Sequence, residues 1–229
     1  MLEKGYRSTA ATNRPVNFRR NRSLQLIAIV YFCVWLLTAL TARDWFDWIL
    51  ENILVFIFMI CIIFSYHKLP LSNLSYLLLA IFMSFHAVGS NATYSESLPG
   101  LWMQQVFDWE RNHYDRVVHF LFGLLFAYPL RELLTHGAGI IGRWCPVLCV
   151  TMVLGLSNLY EIIEWGAAEI IDPEAGIAFL GTQGDVFDAQ KDSGLAFVGV
   201  ILGLALSALL DRLRPVVSAS GAADVTGKP

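Results

Sequence analysis

The chain has 229 residues, of which 56% are hydrophobic and only 15% charged, and its formal net charge is −3. Soluble domains carry about 25% charged residues, so an ordinary soluble globule is excluded, and so small a net charge offers no basic surface for nucleic acid. Nearly all the charge sits in short polar stretches between long apolar ones, which predicts an all-α, polytopic helix bundle embedded in the lipid bilayer.

Residues 1–23 are polar and basic without periodicity, and are expected to form a disordered cytoplasmic tail. Crossing a ~30 Å hydrocarbon core takes ~20 apolar residues, and six segments reach that length: 24–42, 47–66, 71–89, 115–134, 145–165 and 186–210. The first follows basic residues as a signal peptide would. Its apolar run is too long for that, and the residues before Arg43 make a poor cleavage site, so it reads as an uncleaved span. The fourth holds Pro129 near its end, which membrane helices tolerate. Residues 211–229 read as a second disordered tail.

Lysine and arginine set the expected orientation. With the N-terminus inside, the inner segments hold Lys4, Arg7, Arg14, Arg19, Arg20, Arg22, Lys68, Arg131, Arg143, Arg212, Arg214 and Lys228. The outer segments hold Arg43, Arg111, Arg116 and Lys191. The positive-inside rule therefore predicts that both termini are cytoplasmic. Cys33, Cys61, Cys145 and Cys149 lie in or beside apolar stretches and read as packing residues, although Cys145 and Cys149, four apart on a helix, have the spacing to hold a soft metal.

Ionisable residues in membrane helices are costly and usually face a bundle interior or a water-filled cavity. In the expected topology they converge at one depth, near the outer leaflet. His86 lies about a turn from the end of the third span. Asp115 and His119 share a face at the start of the fourth, Glu161 and Glu164 close the fifth, and Asp185, Asp188 and Asp192 open the sixth as one stripe if its helix begins early enough. Such a stripe needs positive company, which His119, His86, Arg111, Arg116 or a divalent cation can supply. Helix N-capping accounts for Asp115, Asp185 and Asp188 without any function. It does not account for Glu161 and Glu164 at a helix C-terminus, where negative charge is unfavourable, nor for Asp192 about two turns into its span.

Glu51 and Asn52 lie toward the outer end of the second span and are candidates for the same cavity. The long outer segments, about 90–114 and 166–185, contain Tyr94, Trp102, Trp109, Trp165 and Phe179, which suit an interfacial aromatic belt or a lid. The turn Gly181-Thr182-Gln183-Gly184-Asp185 offers backbone N–H groups for an anion, but the acids beside it argue against a bare phosphate.

His86-Ala87-Val88-Gly89, Tyr114-Asp115-Arg116-Val117-Val118-His119-Phe120, Tyr160-Glu161-Ile162-Ile163-Glu164-Trp165 and Gly181-Thr182-Gln183-Gly184-Asp185 with Asp188 and Asp192 together resemble the YjdF-like family. These are bacterial inner-membrane proteins grouped as a domain of unknown function, and the likeness runs from about residue 24 to 210. It implies architecture and location in the inner (cytoplasmic) membrane but no reaction. A weaker resemblance links Asp115, His119, Phe120, Glu161 and Asp188 or Asp192 to VanZ-like membrane proteins, with a different loop between the Glu and the Asp.

Three functions remain open. In a membrane enzyme acting on a lipid-linked or envelope substrate, His119, oriented by Asp115, would be a general base or metal ligand. Glu161, Glu164, Asp188 and Asp192, with His86, would then hold a divalent metal ion or share acid–base work. A proton- or cation-coupled transporter is disfavoured, because the inner halves of the spans are almost purely apolar and transporter sites lie near the midplane. A non-catalytic scaffold binding through its outer loops is the third.

Overall fold

The computed structural model describes residues 17–170, 176 and 179–213. The described residues form helices and connecting turns, with no strand. Among the described residues, six helices are long and apolar enough to cross a membrane. In chain order they are α1 (Arg22–Leu40), α2 (Trp45–Ser65), α3 (Asn73–Ser90), α5 (Tyr114–Glu132), α6 (Trp144–Ala168) and α7 (Asp188–Leu213), with the shorter α4 (Leu98–Phe107) between α3 and α5. Helix ends fall within about three residues of those predicted, the usual uncertainty of such boundaries.

The ends are set by local chemistry. The Asn21 side chain accepts from Leu24 N and starts α1, Asp44 accepts from the amides of Phe46 and Asp47 and starts α2, and Ser72 accepts from Ser75 N and starts α3. Pro129 sits inside α5, which runs on through a π-helical turn, Leu133–Gly137.

The predicted tails fall largely outside the described residues. Where they are described, they are ordered: Phe18–Arg20 forms a 3-10 turn capped by Asn17, and Asp211 to Leu213 continue α7, tied back by an ion pair between Arg131 and Asp211.

The segment expected to be an outer loop also contains a helix. Ser97 precedes Pro99 in the first turn of α4, and Asp108 ends it in the left-handed conformation at φ 53°. Leu98, Trp102, Val106 and Phe107 of α4 are exposed, an apolar face suited to the membrane interface.

The tightest seam joins α5 to α7. A Cβ at Gly123 would collide with the Ala196 carbonyl oxygen, one at Gly199 with that of Phe120, and one at Gly203 with that of Leu124. Absence of side chains there lets the two backbones touch, the usual route to close helix packing in lipid, where dispersion replaces the hydrophobic effect. Phe126, Leu130, Val153, Ala196 and Val200 form the core around this seam. Away from the candidate site, Glu132 holds the start of α3, accepting from Ser72 N at 2.8 Å, from Ser72 Oγ at 2.9 Å and from Ser75 Oγ.

Candidate functional site

At the other end of the bundle, α2, α3, α5, α6 and α7 bring their polar residues together. His119 is buried in α5. Its Nδ1 lies 3.1 Å from Ser157 Oγ on α6, and its Nε2 lies 3.2 Å from Glu161 Oε1 and 3.6 Å from Asp115 Oδ1. One carboxylate oxygen from each of Asp115, Asp188 and Asp192 lies within 4.8 Å of the others. Asp192 is only 1% exposed, yet its Oδ1 makes no hydrogen bond among the described residues; Glu161 Oε1 likewise has no aligned donor. The cluster thus contains carboxylate oxygens without the donors that buried polar atoms normally have.

Two arginines hold the neighbouring acids. Arg111 reaches Asp188 Oδ1 at 2.9 Å and Oδ2 at 3.2 Å, and Arg116 reaches Asp188 Oδ1 at 3.0 Å and Asp185 Oδ2 at 2.6 Å. Asp188 is therefore committed to guanidinium groups, while Asp192 and Glu161 are not. His113, just before α5, has its pKa lowered by burial and then by Arg116 and Arg111. That keeps its Nδ1 available to accept from Arg116 NH1 at 3.2 Å.

Asp185 does not join the stripe expected of it. The helix begins at Asp188, so Asp185 lies in the preceding turn, where its Oδ1 accepts from Phe187 N at 3.1 Å. Lys191, 2.5 Å away, is the main cause that holds the Asp185 carboxyl well below the usual carboxylate range. The turn itself is clamped by reciprocal bonds, Asn112 N to Gln183 Oε1 at 3.0 Å and Gln183 Nε2 to Asn112 O at 2.9 Å. These hold Gln183 at φ 49° between Gly181 and Gly184, both also at positive φ. The Phe187 amide, just after the turn considered for anion binding, is thus already served by Asp185.

A second polar layer adjoins the first. Tyr160 donates to Glu51 Oε2 at 2.7 Å, and Glu164 faces Glu51, Asp115 and Glu161. Burial keeps the Tyr94 phenol protonated, so its hydroxyl donates to His86 Nδ1 at 2.5 Å, leaving Nε2–H to donate to the Glu51 carbonyl at 3.3 Å. Both ring nitrogens of His86 are engaged in this arrangement, so it supports Glu51 and offers neither a free N–H to the carboxylates nor a lone pair to a cation. Tyr94 is correspondingly buried, unlike the exposed Trp102, Trp109 and Trp165. Asn52, fully buried, accepts from Trp35 Nε1 at 2.9 Å and donates to Trp48 O at 2.8 Å and Ser90 Oγ at 3.3 Å, linking α1, α2 and α3 beside the site.

Ser157 and Tyr160 were not singled out from sequence as site residues. Ser157 sits one turn before Glu161 on α6, and that i,i+4 spacing was the signal available.

Residues 23–212 match the family described as "Predicted membrane protein (DUF2238)". The chain belongs to this family. It is 33% identical over 179 residues to the inner membrane protein YjdF of Escherichia coli (strain K12), across 78% of this chain and 85% of that protein. No solved structure matches it. With its six apolar helices, this member of the family is a multi-pass protein of the inner membrane.

Proposed function

We propose that the protein is a membrane enzyme that uses the His119 cluster for acid–base chemistry, assisted by a divalent cation, on a lipid-linked or envelope substrate. The observation that carries this reading is the group of carboxylates around Asp192 and Glu161, converging on His119 with oxygens left without hydrogen-bond donors. A histidine within reach of two carboxylates can take and return a proton. Carboxylate oxygens with one imidazole suit a hard or borderline divalent cation such as Mg²⁺, Mn²⁺ or Zn²⁺.

Asp115, Asp192, Glu161 and His119 Nε2 would hold the cation. Asp188, engaged by Arg111 and Arg116, would fix the geometry and balance charge. Transport is less well supported, because beneath the cluster the described side chains are apolar, Phe58, Phe82, Phe122 and Phe126 among them, and carry no polar path inward.

Titration of the purified protein with Mn²⁺ tests the metal part of the reading. Saturable binding lost in an Asp192→Asn/Glu161→Gln double variant is expected; binding unchanged in that variant, or none in the native chain, sinks it. The acid–base part predicts that a deletion strain's altered envelope lipid profile is restored by the native chain but not by His119→Ala. Equal restoration by both would refute it.

A further inference from the structure

A cavity of about 310 Å³ opens directly beneath the polar cluster. Asp115, His119, Ser157 and Tyr160 close one end, while Leu54 and Phe58 of α2, Phe82 and Met83 of α3, and Leu156 of α6 contribute to its apolar walls. A second cavity of about 430 Å³, between α1, α2 and α3, is lined by Ile27, Met59, Ile62 and Tyr76 among others. Phe58 and Met83 border both cavities, so these two side chains separate one apolar space from the next.

The floor of the combined groove is α3 between His86 and Tyr76, which at 1.5 Å per residue is ~15 Å long. That is roughly one leaflet of a ~30 Å hydrocarbon core.

The upper cavity also has a side opening. Ile57 on α2 and Leu159 and Ile163 on α6 line it, yet are 52%, 49% and 41% exposed on the bundle's outer surface. Near its polar end α6 is tied to α2 by the Tyr160–Glu51 hydrogen bond; below that bond, exposed apolar side chains flank the gap. In a bilayer the molecule facing that gap is a lipid.

We propose that this cavity takes the hydrocarbon tail of a membrane lipid, which enters sideways between α2 and α6, lies along α3 toward Met83, and leaves its head group beside His119 and Tyr160. The proposal rests on the enzymatic reading for the role of the head group, but the seating of the tail stands apart from it. An apolar chain exchanges one apolar surrounding for another on leaving bilayer hydrocarbon for an apolar cavity, so the tail supplies placement while the polar end selects the head group. The substrate class is then an intact lipid, held by its own chain in the leaflet, and a water-soluble envelope component is excluded.

The test reconstitutes the protein in vesicles containing phosphatidylethanolamine with a diazirine at the end of one acyl chain, followed by photolysis and peptide mapping. Adducts on the segments containing Phe58 and Met83 are expected, reduced several-fold in Leu156→Trp, which adds bulk to the cavity's partly exposed wall. The same reduction is expected in Ile57→Trp at the half-exposed opening, where added bulk meets lipid and folding is spared. Adducts at the outward-facing Ile29 of α1 should not change in either variant.

His119→Ala should keep the cavity adducts, so that loss of the chemistry and loss of the tail site are told apart. Labelling confined to outward-facing residues, or cavity adducts undiminished in a monodisperse, helical tryptophan variant, would overturn the proposal and leave only annular lipid.

Discussion

Nε2 of His119 stands 3.2 Å from Oε1 of Glu161 across the seam between α5 and α6, and no N–H or O–H among the described residues is aligned to donate to that oxygen. Asp115, Asp192 and Asp188 also face Glu161. Such an arrangement is electrostatically uneconomical as structure, since buried polar atoms elsewhere in proteins are almost always satisfied.

Glu161→Gln should therefore separate stability from function. Replacing one of four crowded carboxyl groups by an amide is expected to leave thermal stability unchanged or raise it by about 0.5–2 kcal/mol, the range common for single stabilising substitutions. The same change should abolish complementation of a deletion strain. Thermal unfolding in detergent beside the complementation assay checks this, and a clearly destabilised Glu161→Gln would mark the residue as structural.

Arg116 and Lys191 both contact Asp185, yet their loss should differ widely in cost. Arg116 is mostly buried and also serves Asp188, so Arg116→Gln is expected to cost on the order of 3 kcal/mol by leaving buried acids short of a partner. Lys191 is half-exposed, and Lys191→Ala should cost no more than about 1 kcal/mol. Denaturation midpoints of the two variants give the comparison directly.

The lowered pKa of Asp185, caused chiefly by Lys191, sets a pH signature for the same turn. A depressed carboxylate pKa stabilises the fold fully above the unfolded value of about 3.9, and that contribution fades as pH falls through the lower folded value. Asp185→Asn should thus be less stable than the native chain by the same margin at pH 7 and pH 5, with the margin shrinking only below about pH 4. Melting curves at three pH values would show it; a margin that closes between pH 7 and 5 would point to another group.

Two glycines on α7 make a controlled pair. A Cβ at Gly199 strikes the backbone of α5, whereas nothing lies within 4 Å of one at Gly194. Gly199→Ala is expected to destabilise by about 1–3 kcal/mol through overpacking, and Gly194→Ala to be neutral or to stabilise by up to about 1 kcal/mol through helix propensity. Detergent melting temperatures of the two variants test the seam.

What the sequence made legible was what depends on nearby residues. The six spans follow from unbroken apolar runs, and the gathering of His119, Asp115, Glu161 and Asp192 at one level follows from helix length and direction. Pairings across the chain were another matter. Arg111 and Asp188 are separated by 77 positions, and nothing local distinguishes that partner from His86 or a cation.

The stripe expected of Asp185 required an early helix start, and α7 starts only at Asp188, which leaves Asp185 in the preceding turn. The helix α4 was missed because ten residues with a proline near the start fall short of any spanning run. His86 was grouped with the metal-ligand candidates because the partner that engages it, Tyr94, comes from a turn between helices.

Arg111 and Arg116 leave the ribosome 77 and 72 residues ahead of Asp188, and Gly123 well ahead of Ala196, whose backbone it meets. Synthesis therefore delivers the guanidinium groups, the histidine and the glutamates before either aspartate of α7. Until that last helix packs against α5, Arg111 and Arg116 lack the Asp188 carboxylate that both engage, and the cluster around His119 is half built. Assembly of the cluster then hinges on a single docking event, in which the final helix brings Asp188 to the arginines and Asp192 to Asp115 together.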